Sequence, residues 1–173
     1  MTATANTGVT AARALMRVGA VAAIIGGTLR IVSTFVPYQA ELAWLEAFYG
    51  VIDICLLVGL LAVYLASAEA AGVAGLALFL VALAGLASIV GPDAPAFGVD
   101  FYRVGALVFV AGLAGLSVQL LRRRVMTYSA LAWVATLACS IAAAALPVAF
   151  LAAGLLLGVG FVLAGVSILR VLT

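Results

Sequence analysis

Between Tyr128 and Leu172 the chain reads YSALAWVATLACSIAAAALPVAFLAAGLLLGVGFVLAGVSILRVL, an almost unbroken apolar run whose one charge is Arg170. As a single α-helix at 1.5 Å per residue it would be roughly 65 Å long, about twice the thickness of a bilayer's hydrocarbon core. A rod of that length would carry a long apolar surface into water, so the run is expected to fold back. The turn is expected at Leu146-Pro147, because proline removes a backbone donor and disfavours helix in the residue before it. That leaves two halves of spanning length, 128–146 and 147–170, joined as a tight hairpin.

Working outward, the same reading applies to the whole chain. Of its 173 residues 68% are hydrophobic and 8% charged, against roughly 45–50% and about 25% in an ordinary soluble domain. Apolar runs of spanning length lie at about 15–36, 42–66, 71–90 and 101–121. Pro37, Ser67-Ala68-Glu69, Gly91-Pro92-Asp93 and Arg122-Arg123-Arg124 are the expected stops. The expected fold is an all-α integral membrane protein, a six-transmembrane-helix bundle in one domain (residues 12–173) behind a flexible tail (1–11). Arg13 and Arg17 precede the first apolar run as in a signal peptide, but Arg30 follows without a small-residue cleavage site, so the run reads as a retained span.

The charges orient the bundle. With both termini cytoplasmic, Arg13, Arg17, Arg122, Arg123, Arg124 and Arg170 fall inside against Glu69, a balance of +5. Outside stand Glu41, Glu46, Asp53, Asp93 and Asp100 against Arg30 and Arg103, a balance of −3. This is the asymmetry of the positive-inside rule, and the natural setting is a bacterial-type inner or plasma membrane. Arg17-Val18-Gly19-Ala20 recurs as Arg103-Val104-Gly105-Ala106, a weak sign of a three-plus-three inverted repeat such as many secondary transporters have.

Absences narrow the chemistry. The formal net charge of +2 is too small and scattered for a nucleic-acid footprint. There is no histidine and no lysine, hence no imidazole for zinc, haem or base catalysis and no amine for a Schiff base. No metal or other cofactor is expected. Cys55 and Cys139 lie in apolar runs and read as small buried hydrophobes, not a disulfide framework.

An ionisable side chain at the centre of a span costs about 2.5–3.5 kcal/mol on insertion scales, so such residues carry the functional information. Glu46, Tyr49 and Asp53 share one face of the second span by their spacing, with Asp53 near mid-bilayer. Arg30 in the first span sits at a depth that a carboxylate of the second reaches. Asp100 and Arg103 form an i, i+3 pair at the start of the fourth. The expected ligand-binding set is Arg30, Glu46, Tyr49, Asp53 and Arg103, in an outward-opening polar pocket. The plainer use of Arg30 is a bridge to Glu46 or Asp53 that pins two helices.

Three functions fit this pattern. One is binding or transport of a small anionic or amphipathic ligand, with Arg30 holding the anion and Asp53 or Glu46 exchanging a proton. A second is a cofactor-free isomerase or cyclase acting on a lipidic or isoprenoid-like substrate, with Glu46 and Asp53 as catalytic acid and base and Tyr49 as donor. The third is an accessory subunit of a larger membrane complex. The bilayer is the expected partner. Gly154 and Gly158 form a small-residue face that serves either packing within the bundle or an interface with a second copy or a partner subunit.

Overall fold

The computed structural model describes residues 3–36, 42–90 and 100–173. Among them are five helices and no strand: α1 (Ala3–Ser33), α2 (Ala43–Ile89), α3 (Phe101–Arg122), α4 (Thr127–Ala142) and α5 (Pro147–Leu172). Stretches of α1, α2, α3 and α5 are long and apolar enough to cross a membrane, and α4 is a shorter apolar helix. The expected breaks at Pro37 and Gly91-Pro92-Asp93, and the acids Glu41 and Asp93, lie outside the described residues.

The helix count is five, not six, because the expected second and third helices form one element. Ser67-Ala68-Glu69 does not stop the helix. The Ser67 hydroxyl donates to the Val63 carbonyl at 2.7 Å, a back-bond that keeps a serine inside a helix, and Ala and Glu are good helix formers. The interruption comes at Gly72, with φ 62° and ψ −164°, a region of backbone space that is essentially open to glycine alone. Here the chain reverses. The rings of Tyr64 and Phe79 stack with centroids 4.3 Å apart, whereas fifteen residues along a straight helix would separate them by roughly 22 Å. Thus α2 is two antiparallel arms hinged at one residue.

Two further boundaries differ from expectation. Helix α1 begins at Ala3, so residues 3–11, expected as a loose tail, are helical. Helix α4 ends at Ala142 and Pro147 opens α5 at its first position, where a missing N–H costs nothing.

Helices that follow one another in sequence lie side by side, and α5 returns to pack on α1, closing the arrangement into a ring. Between apolar helices in lipid, van der Waals contact holds the bundle, so small residues set the approach. A Cβ at Gly59 would stand 2.8 Å from that of Ala23 on α1, and one at Gly112 on α3 would stand 2.5 Å from the Ala82 nitrogen on the second arm of α2. A Cβ at Gly158 would stand 2.5 Å from the Gly27 carbonyl oxygen. Gly158 thus packs on α1, and Gly154 on Thr34 just past its end. Arg17 donates to the Leu172 carbonyl at 3.1 Å, a cation at a helix C-terminus.

The core runs between the helices along the ring. Trp133, Phe161, Leu60, Leu113, Leu116, Leu120 and Ile168 are fully enclosed there, with the Trp133 and Phe161 rings edge to face at 5.2 Å. The outer surface is apolar. Val21, Ile25, Val51, Ile54, Leu80, Val108, Leu131 and Val159 are all exposed, a surface that lipid, not water, suits.

Candidate functional site

Beside this core the helices enclose a cavity of about 860 Å³, within the roughly 300–1,000 Å³ usual for small-molecule sites. It lies toward the end where α1 and α4 stop and α3 and α5 start. Leu56, Leu86, Phe109, Val110 and Leu157 form its apolar floor. Arg30, Asp53 and Arg103 stand on its walls with the hydroxyls of Thr136 and Ser140, and Asp100, Tyr102, Ala143, Ala144, Pro147 and Phe150 complete the lining.

Arg30 is placed by the end of α1. Its carbonyl accepts from the Ser33 hydroxyl at 2.9 Å and the Thr34 hydroxyl at 3.0 Å, which satisfies backbone that a helix end leaves open. Its guanidinium meets neither Glu46 nor Asp53 within the 4.0 Å of an ion pair, and its Nε is enclosed without a hydrogen-bond partner. Asp53 lies near enough to feel the Arg30 charge without touching it. The expected pin between the two helices is not made by these residues.

Asp100 and Arg103 are associated differently from a side-chain pair. The Asp100 carboxylate accepts from the backbone N–H of Arg103 at 2.8 Å as the N-cap of α3, an anion at the positive end of a helix. The Arg103 guanidinium is left exposed at the cavity rim.

Two residues of the expected set stand outside the cavity. Glu46 is exposed near the start of α2. Tyr49 is half-buried, and its hydroxyl donates to the carbonyls of Ser33 and Val36, each at 3.4 Å, so it ties α2 to the end of α1. The cavity brings together Arg30, Asp53 and Arg103 and leaves out Glu46 and Tyr49. It also recruits a wall from α4 and α5 that charge-led reading of the sequence passed over. Thr136 and Ser140 are an i, i+4 hydroxyl pair in a helix without charge, and that spacing was the available signal.

No group of three His, Cys, Asp or Glu side chains among the described residues could hold a metal ion. Cys55 and Cys139 are free thiols. The fold and its surface define a multi-pass helical membrane protein with a largely apolar cavity that carries a few polar groups. No protein-family model matches the chain, and no curated protein or solved structure is similar enough to count as a match.

Proposed function

We propose that the chain crosses the membrane six times, each arm of α2 counting once, with both termini cytoplasmic, and that its outward-facing cavity binds or transports a small anionic amphiphile together with a proton. The carrying observation is the Arg30 guanidinium, enclosed at Nε without a partner on the wall of an 860 Å³ cavity. An enclosed donor of a cation left without a partner is costly, and an anion that reaches it removes that cost. The antiparallel order of the helices and the +5 and −3 charge balances support the orientation. Arg17 and Arg103 open segments running in opposite directions, as an inverted repeat requires.

Proton coupling follows from electroneutrality. The groups facing Asp53 are Arg30 from α1, Arg103, Asp100 and Tyr102 from α3, and Thr136 and Ser140 from α4; α5 and the second arm of α2 bring no ionisable side chain to the cavity. Asp100 already serves the α3 N-terminus. A monoanion on Arg30 thus leaves the Asp53 carboxylate without its counter-charge, and taking up one proton there restores neutrality. Affinity should then rise about tenfold for each unit of falling pH over which that proton is acquired.

The test is native mass spectrometry of protein extracted gently from its own membrane. The expected result is an anionic adduct on the wild type, absent from Arg30→Gln, retained in Glu46→Gln, and bound without pH dependence by Asp53→Asn. An adduct indifferent to Arg30 overturns the proposal. The catalytic reading lacks its second acid, because Glu46 does not reach the cavity that holds Asp53. The accessory-subunit reading drew on the α5 glycines, of which Gly158 packs on α1 and Gly154 on Thr34 within the chain.

A further inference from the structure

From Ile141 to Val166 no side chain is polar, and this stretch contains the turn between α4 and α5. Every other reversal of the chain carries a charge: Glu41, Glu69, Asp93 with Asp100, and Arg122 to Arg124. The turn pairs four consecutive N–H groups within itself. The N–H groups of Ala143, Ala144, Ala145 and Leu146 donate to the carbonyls of Cys139, Ile141, Ala142 and Ala142 at 2.9–3.3 Å, and Pro147 has none to satisfy. A turn with no polar side chain and with these N–H groups paired is cheaper to place in hydrocarbon than any of the charged reversals.

The turn belongs to a short helix. Helix α4 has 16 residues where its ring neighbours α3 and α5 have 22 and 26, so at 1.5 Å per residue it is roughly 24 Å long, less than the hydrocarbon thickness. Ile141, Leu146, Val148 and Phe150 around it are between 59 and 69% exposed. Ala144 and Phe150 line the cavity and are exposed at the same time, as is Leu107 facing them from α3. These residues border the cavity and the outer surface together.

We infer that the turn lies submerged in the outer leaflet, that the cavity opens sideways to lipid over the end of α4 between α3 and α5, and that its ligand is a single-chain amphiphile with one acidic head, taken from the leaflet. This rests on the reading of Arg30 as the group that holds the anion. The head then meets Arg30 and Arg103, and the tail lies against Phe109, Leu157 and Phe150 at the portal. The volume suits one drug-sized molecule.

The test places a nitroxide at Ala144→Cys, in a chain carrying Cys55→Ala and Cys139→Ala, reconstituted in phosphatidylcholine vesicles. Arg123→Cys in the same background is the reference. The Ala144 label should be relaxed by oxygen dissolved in the bilayer in preference to a water-soluble nickel chelate, and the Arg123 label the reverse. In parallel, palmitate and butyrate are titrated onto the wild type and Arg30→Gln. Palmitate should bind the wild type at least tenfold more tightly than butyrate, with the binding lost in Arg30→Gln; the tenfold is roughly the least that burial of a few methylenes implies. An Ala144 label open to the chelate, with butyrate binding as well as palmitate and both requiring Arg30, overturns the portal while the anion site stands. Palmitate binding unchanged in Arg30→Gln overturns the anion site and the ligand class with it.

Discussion

A Cβ added at Gly158 would press on the Gly27 carbonyl oxygen and the Ile31 side chain of α1, at 2.5 and 2.7 Å, whereas one added at Gly50 would meet nothing within 4 Å. The same substitution therefore has opposite signs at the two sites. Gly158→Ala should destabilise the bundle by about 1–3 kcal/mol, the usual cost of overpacking. Gly50→Ala should stabilise it by roughly 0.5–1 kcal/mol through helix propensity. Thermal unfolding in detergent reads both, and equal shifts would show that the α1–α5 contact is not the tight one. At this scale the sequence was informative where energy makes residues rare. Arg30, Asp53 and Arg103 stood out because charge within a span is costly, and all three line the cavity. Glu46 and Tyr49 were drawn in by helical periodicity, which reports a shared face but not depth. Seven residues up the helix from Asp53, about 10 Å by rise, Glu46 has passed beyond the cavity.

Among the elements, α2 was the hardest to read. Its stop signals and its actual hinge lie within a few residues of one another, and only backbone geometry separates them: Ser67 bonds back to Val63, while Gly72 takes up a conformation closed to other residues. Gly72→Ala should cost about 1–3 kcal/mol, although a Cβ there would touch nothing. The loss is conformational and not steric. It is measurable as a lower denaturant midpoint, accompanied by reduced disulfide yield between cysteines placed at Tyr64 and Phe79, the pair that the hinge brings together. A midpoint equal to wild type would mean that the reversal does not depend on glycine. The proline that opens α5 was easier to read, since its effect on the chain is local and of one sign.

For the whole molecule, the membrane class follows from composition alone, because no packed core can absorb this fraction of apolar residues without lipid around it. The ring order of the helices was not legible. Ala, Gly, Leu and Val are spread over every span, so no helix names its neighbour, and the partner is chosen by where small residues meet in three dimensions. Orientation is a property of the summed charge, and its prediction belongs here. A green fluorescent protein fused after Thr173 should fluoresce in the cytoplasm, and alkaline phosphatase fused after Val90 should be active outside. The opposite pair of results would invert the bundle and turn the cavity mouth inward.

The closure of the ring by α5 on α1 also sets an order of events during synthesis. The pairs α1 with the first arm of α2, and the second arm with α3, are neighbours along the chain and can dock as they emerge. The face of α1 that bears Gly27 and Ile31 has no protein against it until the last helix arrives, when Gly158 meets it and the Leu172 carbonyl meets Arg17. The enclosed space is therefore the final thing the nascent chain makes, and Arg30 must be carried into the bilayer before the chamber that shelters it exists.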